Sequence, residues 1–407
     1  MKNNIWYISK YIAPAYAAKN QARGFLLLTE FVRLGRHCTL ITSDSSHQIK
    51  APDFLGSVFV EQVQGVEVHW LKTRKYKKSG SINRILSWLS FEWQLFKMPK
   101  KDLNRPDVVI VSSLSLLTIL NGLYLKRKYK CKLIFEVRDI WPLVLTESGK
   151  VSKNHPLALV LGWVEKLGYR KSDQVVGTMP NLSEHIKTVT KTNISAECIP
   201  QVIDPNFINL PAQPLSDEYI NSYIPKDKFI VCHAGSIGAD NSLDTLFECA
   251  RALKDNEKIH FLIVGEGDLK DFYAAKNQDL TNLTFAPRVE KNQVQSLLNY
   301  ADVVYFSVAN SVVWEYGQSL NKVIDYMLSG KPIVASYSGY PSMINEAECG
   351  VYVPAENTNA LQATIEQFAE IPRDELESMG RRGKEWILKK RSIDVVAKEY
   401  LAIIDRL

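Results

Sequence analysis

Short, unbroken apolar runs, each followed by a stretch of helical periodicity, dominate this chain, and Val108-Val109-Ile110-Val111 is the clearest of them. A run that is apolar at every position, rather than at alternate ones, needs cover on both faces. A parallel sheet flanked by helices supplies that cover. The order starts with a strand at 4–9 and a helix at 20–34, where Phe25, Leu26, Leu28, Phe31, Val32 and Leu34 recur at helical spacing. Gly35 stops the helix and a strand follows at 38–44. Strands at 66–71, 107–113 and 132–139 continue the series, with helices at 82–98 and 114–128. After 199–204 and the proline-containing stretch 205–225, a second series brings strands at 229–236, 259–267, 283–289, 302–308, 331–338 and 350–355. Helices at 242–255, 291–300 and 319–329 lie among them. Two doubly wound α/β domains meeting near residue 200 are expected, the last stretch, 374–407, reading as one or two amphipathic helices.

Composition narrows the class. A chain of 407 residues suits two or three domains. With 46% hydrophobic and 23% charged residues, disordered, collagenous and coiled-coil proteins are excluded. The six cysteines are scattered without a CxxC pair, which argues against a zinc site or a disulfide framework and fits a reducing compartment. No metal is expected. The net charge of +6 is unevenly placed, with lysine and arginine clusters in the N-terminal half suggesting one face that meets an anionic surface or ligand. The opening MKNNIWYISKYIAP has too short an apolar core for a signal peptide, so a cytoplasmic location is expected. Residues 108–125 carry no charge and are just long enough to span a bilayer, but Ser112, Ser113, Ser115, Thr118 and Asn121 suit that poorly. A buried strand running into a buried helix accounts for the same pattern.

Neither series holds a G-x-G-x-x-G or a P-loop lysine motif, and Gly265-Glu266-Gly267 is a lone G-x-G. Hydride transfer and NTP hydrolysis lose ground. The most informative stretch is 314–338, WEYGQSLNKVIDYMLSGKPIVASYS. Gly317-Gln318-Ser319-Leu320 reads as a tight turn opening a helix near Asn321, where free amides and the positive end of the helix dipole make an anion site. Lys322 in the first turn opposes the dipole and makes sense facing a phosphate. Asp325, one turn on, can face the same side and accept two hydrogen bonds from a vicinal diol such as a ribose. A plain helix with ordinary caps is the alternative.

DYMLSGKPIVAS resembles the C-terminal signature of glycosyltransferase family 4, enzymes of GT-B architecture: two Rossmann-like domains facing a cleft. The second acid of that signature maps to Asp325 and the first to Gly317, with Glu315 two residues earlier. YGxSxNK before the helix resembles a subgroup acting in bacterial surface-polysaccharide assembly that includes L-fucosamine transferases. EVRDIWP (136–142) resembles that subgroup's RDLWP motif. HAGSIG (233–238), LIVGEG with NLTFAPRV, and MGRRGKEW (379–386) fit the remainder. The resemblance is weaker near the N terminus, where Ala17, Ala18 and Lys19 stand in place of a frequent glycine pair. It implies an acceptor-binding domain at 1–198, a donor-binding domain at 199–385, and a C-terminal helix at about 386–407 packing back on the first.

For mechanism, the resemblance implies a nucleotide-sugar donor on the C-terminal domain and transfer with retention, without metal or other cofactor. Charge on the leaving diphosphate then falls to backbone amides and cationic side chains. By matching, Asp325 binds ribose hydroxyls, the Ser319 and Leu320 amides meet the diphosphate, and the Val289 main chain reads uracil. Gly235, Ser236, Glu315 and Gln318 complete the donor-binding set. The loop GSIGADNS lacks the arginine and lysine usual in the family, and Arg288, Lys322 or Lys291 could replace them, or each could be a solvated charge. Asp139 is the first choice for contacting the acceptor hydroxyl or acting as its base, beside Arg138, although the two could instead pair with each other or cap the next segment. His69, His155 and His260 read as packing or surface residues, whereas His233 opens the glycine loop.

The segment 72–101 carries a second signal. Ile82, Ile85, Leu86, Leu89, Trp93 and Phe96 can share an apolar helix face, Trp88 and Phe91 widening it, with basic residues at both ends and Glu92 the lone acid. Lys126, Arg127, Lys128, Lys130 and Lys132 add to the charge. Aromatic and basic residues together suit anionic lipid, with Arg74, Lys75, Lys77, Lys78, Arg84, Trp88 and Trp93 facing it. A core helix with basic caps is the alternative, and nucleic acid is not expected as a partner. The overall expectation is a cytoplasmic enzyme at the inner face of the cell membrane. It would move a sugar from a UDP-sugar, such as UDP-L-FucNAc, to a polyprenyl-diphosphate-linked oligosaccharide in O-antigen or capsule biosynthesis. A non-catalytic sugar-nucleotide binder, or a nucleotide-sugar epimerase, are the rivals.

Overall fold

A computed structural model of the protein describes residues 2–18, 23–46, 49–76, 82–149, 151–209 and 211–407. They build two units, Met1–Asp204 with Ile393–Leu407, and Pro205–Ser392. The first unit holds an eight-stranded sheet of β1 (Asn4–Ile8), β2 (His37–Ser43), β3 (Val58–Val63), β4 (Val66–Leu71), β5 (Val108–Ser112), β6 (Lys132–Val137), β7 (Gln174–Gly177) and β8 (Ala196–Cys198). The order is β3-β4-β2-β1-β5-β6-β7-β8, parallel throughout except for the β3–β4 hairpin. Three of these strands, β3, β7 and β8, have no counterpart among the strands expected from sequence. VFVEQV is a half-exposed edge strand with polar residues, and the other two are too short to show a pattern.

Chain direction across this sheet reverses between β1 and β5. Right-handed crossovers then put the Arg23–Arg33 helix on one face and the Ile82–Lys97, Thr118–Tyr129 and Pro156–Lys171 helices on the other. On the first face Phe25, Leu28 and Phe31 pack with Tyr400, Leu401 and Ile404 of the Ile393–Arg406 helix. Each such side chain, once buried, contributes roughly 1.5–3 kcal/mol. The returning helix starts at Ile393, not at 386, because Ser392 is extended (φ −62°, ψ 147°) and separates it from the Arg373–Arg391 helix. Residues 199–204 stay with the first unit, since the buried Arg23 guanidinium donates to the Ile199 and Pro200 carbonyls at 2.6 and 2.8 Å. The uncharged stretch 108–125 is β5 running through a short turn into a helix. Among the described residues no helix is long and apolar enough to cross a membrane.

In the second unit six parallel strands, β9 (Phe229–Ala234), β10 (Ile259–Val264), β11 (Leu283–Ala286), β12 (Val303–Ser307), β13 (Ile333–Ser336) and β14 (Gly350–Val353), are ordered β11-β10-β9-β12-β13-β14. Numbered within the unit this is 3-2-1-4-5-6, the doubly wound order whose connections reverse between the first and fourth strands.

Candidate functional site

The parallel arrangement gathers all six C-terminal strand ends of the second unit on one edge, and the reversal between β9 and β12 opens a crevice there. β9 delivers His233 and then Gly235-Ser236-Ile237-Gly238 to that edge. The loop is held from below by β10 and its extension: the Gly235 amide donates to the Val264 carbonyl at 2.9 Å and the Ile237 amide to the Glu266 carbonyl at 3.0 Å. This explains the lone G-x-G. A Cβ on Gly265 would lie 1.8 Å from the Gly235 carbonyl oxygen, and one on Gly267 2.1 Å from that of Ile237. These glycines permit close backbone approach.

The Asn321–Ser329 helix reaches the same loop. Tyr326, fully buried, receives a hydrogen bond from the Ala234 amide at 3.0 Å and donates to the Ala234 carbonyl at 3.1 Å, fixing the helix against the end of β9. One turn earlier the Lys322 ammonium donates to Asn241 Oδ1. Asn241 in turn donates to Ser236 Oγ at 2.8 Å, and its carbonyl accepts from Ser307 Oγ, at the end of β12, at 2.6 Å. Asn241 was missed in the sequence, where it is one polar residue among several in GSIGADNS. Burial lowers Lys322 to about 8. His233 is fully buried, its Nδ1 3.3 Å from the Tyr305 carbonyl and its Nε2 without a partner among the described residues. Burial, and then the Lys322 charge, push the imidazole down to about 3, so it is neutral near pH 7. A Cβ on Gly235 would sit 3.5 Å from His233 Nε2 and 3.7 Å from Lys322 Nζ, so the absent side chain leaves room where the two groups converge.

The turn into the helix departs from expectation at one amide. Gln318 is buried and folds back so that its Oε1 accepts the Leu320 N–H at 3.1 Å, leaving its own Nε2 without a partner. The Leu320 amide is therefore engaged, contrary to its expected role toward a diphosphate. Among the described residues no acceptor meets the amides of Ser319, Asn321 and Lys322. Gly317 has φ +100° and ψ 172°, a conformation open essentially to glycine, which accounts for the absence of an acid at that position. Glu315 is exposed on the Val312–Tyr316 turn. Asp325 is half-buried, its carbonyl bonded by Gln295 and its carboxylate without a hydrogen-bond partner among the described residues. Burial raises its pKa and Lys291 opposes the shift. Arg288 is exposed beyond β11 and Val289 is buried next to it. The structure thus joins Gly235, Ser236, Lys322 and His233 into one cluster.

In the first unit the equivalent edge carries Lys10, Ser113, Arg138 and Asp139. The Arg138 amide donates to Ser113 Oγ at 3.0 Å and Ser113 Oγ donates to the Asp139 carbonyl at 3.2 Å. No ion pair joins Arg138 and Asp139 among the described residues. Asp139 is exposed, yet partial desolvation raises its carboxyl pKa, opposed by Arg138 and then Arg84. Lys10, which the sequence reading missed inside an apolar run, is fully buried. Its ammonium donates to the Ser45 carbonyl at 2.6 Å, and burial, opposed by Asp44, lowers it to about 7.

Of the residues expected to face lipid, Trp88 is corrected by its burial. Trp88 is buried and donates from Nε1 to the Tyr11 hydroxyl at 2.6 Å. Arg84 lies over the Tyr11, Trp88 and Trp141 rings at 5.5–5.8 Å, turned toward aromatic packing. Lys75 pairs with Asp44 at 2.8 Å, Arg74 is exposed, and Trp93 is 56% exposed. Lys77 and Lys78 lie outside the described residues. Among those described, no group of three or more His, Cys, Asp or Glu is placed to hold a metal.

Solved structures share this architecture over the whole chain. Sucrose-phosphate synthase from Thermosynechococcus elongatus aligns with a TM-score of 0.71 at 16% identity, covering 100% of this chain and 99% of that one. The E. coli trehalose-6-phosphate protein bound with UDP-2-fluoro glucose aligns at 0.73 and 12%, covering 100% and 99%. HepE of Anabaena in complex with UDP-glucose aligns at 0.64 and 11%, covering 99% and 100%. The fold is GT-B. Within this GT-B chain, residues 228–370, all in the second unit, match the family model "Glycosyl transferases group 1". No curated protein matches the GT-B chain.

Proposed function

We propose that the protein is a metal-independent, retaining glycosyltransferase that takes a UDP-sugar on its second unit. One observation carries this reading: the Lys322 ammonium, the unpartnered His233 Nε2 and the uncapped amides of Ser319 and Asn321 all lie at the C-terminal strand edge, with the free Asp325 carboxylate a turn farther along. Lys322 and the two amides hold the diphosphate and stabilise its charge as the sugar leaves. Asp325 accepts the ribose hydroxyls and the Val289 main chain reads the base. With Nδ1–H turned to the Tyr305 carbonyl, His233 offers the Nε2 lone pair to a hydroxyl of the donor sugar. Solved relatives in fold with UDP or UDP-glucose bound support a nucleotide-sugar partner. Asp139 on the first unit serves as the contact or base for the acceptor hydroxyl. The acceptor is a polyprenyl-diphosphate-linked oligosaccharide of O-antigen or capsule assembly, met at the inner face of the cell membrane, and an N-acetylated deoxyhexosamine such as L-FucNAc is the sugar.

Calorimetry with UDP tests the donor site. Asp325→Ala weakens binding by at least about tenfold while the melting temperature holds, the loss expected when a buried, charge-assisted pair of hydrogen bonds is removed. Wild-type affinity also declines as pH rises through about 8, where Lys322 loses its proton. Unchanged affinity in the variant removes Asp325 from the site. One observation favours a non-catalytic sugar-nucleotide binder, the glycine-restricted backbone at 317 where the family carries an acid. Binding of UDP without transfer or hydrolysis across a donor screen would decide for that reading.

A further inference from the structure

We propose that the outer surface of the Ile82–Lys97, Thr118–Tyr129 and Pro156–Lys171 helices is a docking face for a bilayer of anionic lipid. The three helices lie side by side on one face of the first unit's sheet. Their inner sides are already filled: Trp88, Phe91 and Leu95 on the first, Ile119 and Leu125 on the second, Leu161 and Val164 on the third are all buried. Apolar side chains remain outside nonetheless. Leu89, Trp93 and Phe96 fall at i, i+4 and i+7 and are 50–56% exposed, while Tyr124 and Trp163 are 39% and 61% exposed. The Trp93 and Phe96 rings stack at 6.3 Å and Phe96 meets Tyr124 at 5.2 Å, so the patch runs unbroken from the first helix to the second. A scattered exposed leucine needs no cause, but a continuous aromatic strip on a folded unit does.

Charge names the occupant. The three helices contain two acids between them, and both are directed into hydrogen bonds rather than outward. Glu92 accepts from Thr118 Oγ1 at 2.6 Å and Asn121 Nδ2 at 2.7 Å; Glu165 accepts from the Tyr169 hydroxyl at 3.0 Å and meets His185 at 2.7 Å. The exposed charges of the helices are cations, with Lys97 4.6 Å from the Trp93 ring centroid and Lys128 5.6 Å from that of Tyr124. Indole and phenol rings, an aliphatic strip and flanking lysines match the headgroup and upper acyl layers of a negatively charged leaflet. A protein surface of the same shape would have to supply the missing acids, and nucleic acid would leave the exposed Leu89, Trp93 and Phe96 side chains without apolar cover. This face deepens the lipid-linked acceptor reading, yet none of its residues belongs to the second unit, so the two readings fail separately.

The test is cosedimentation of the full chain with vesicles of phosphatidylcholine, with and without phosphatidylglycerol, at low and high salt. The protein should pellet with the anionic vesicles and be released by salt. Trp93→Ala with Trp163→Ala should weaken that binding by at least about tenfold, and Lys97→Gln with Lys128→Gln by about fivefold for each charge. All four side chains are exposed and UDP calorimetry on the same variants reads the donor site separately, so retained UDP affinity with lost lipid affinity is the expected pair. Absence of binding to anionic vesicles, equal binding by the variants, or self-association abolished by the same substitutions would overturn the proposal.

Discussion

Glu136 shows how a single buried charge is made tolerable in this molecule. Its Oε1 accepts from the Tyr7 hydroxyl at 2.6 Å and from Arg23 at 3.0 Å, and its Oε2 from the Tyr400 hydroxyl at 3.0 Å. Burial by itself would raise its pKa, but Arg23, the Tyr7 hydrogen bond and Arg138 outweigh that and hold the carboxyl below its ordinary value. Glu136→Gln strands the Arg23 guanidinium in the core, and urea denaturation should show a loss of about 3–5 kcal/mol. The sign with pH follows from the depressed pKa. The carboxylate's contribution is full above about pH 4.3, the unfolded value, and is lost as pH falls through the lower folded value. Wild-type stability should drop on acidification in that window and the variant's should drop less; parallel profiles would contradict the assignment. Nothing in EVRDIWP reveals that Glu136 is buried, because its partners come from residues 7, 23 and 400.

At the scale of elements, amphipathic pattern located helices well but did not always fix the side that faces in. Residues 82–98 form the expected helix, yet it has two apolar sides, with Trp88, Phe91 and Leu95 inward and Leu89, Trp93 and Phe96 outward. The Asn321–Ser329 helix is the converse case. Its start was legible from Gly317 and the polar turn, whereas its attachment to the end of β9 was not: there one phenol is bonded twice to Ala234. Tyr326→Phe leaves a half-buried amide and carbonyl without this partner and should cost about 1–3 kcal/mol by thermal or urea unfolding. Because the same helix carries Lys322 and Asp325, UDP affinity should fall as well. A variant that loses stability but binds UDP as tightly as wild type would separate the helix from the donor site.

Across the whole molecule, the two units differ in what a nucleotide should do to them. Ligand binding to the folded second unit stabilises it by mass action, so saturating UDP should slow hydrogen exchange at 233–241 and 317–325 while leaving the amides of β1, β5 and β6 unaffected. Protection confined to the first unit would place the nucleotide elsewhere. By itself the sequence determined the alternation of strand and helix, hence two doubly wound sheets, and it marked the turn before residue 321, because these follow from apolar periodicity and glycine within a few residues of one another. Tertiary structure alone decided that Gln318 occupies the Leu320 amide, that Lys322 reaches Asn241, that Trp88 turns inward and that Arg23 neutralises Glu136. Whether a polar group is free or spent depends on which distant segment is packed beside it, and separation along the chain carries no record of that.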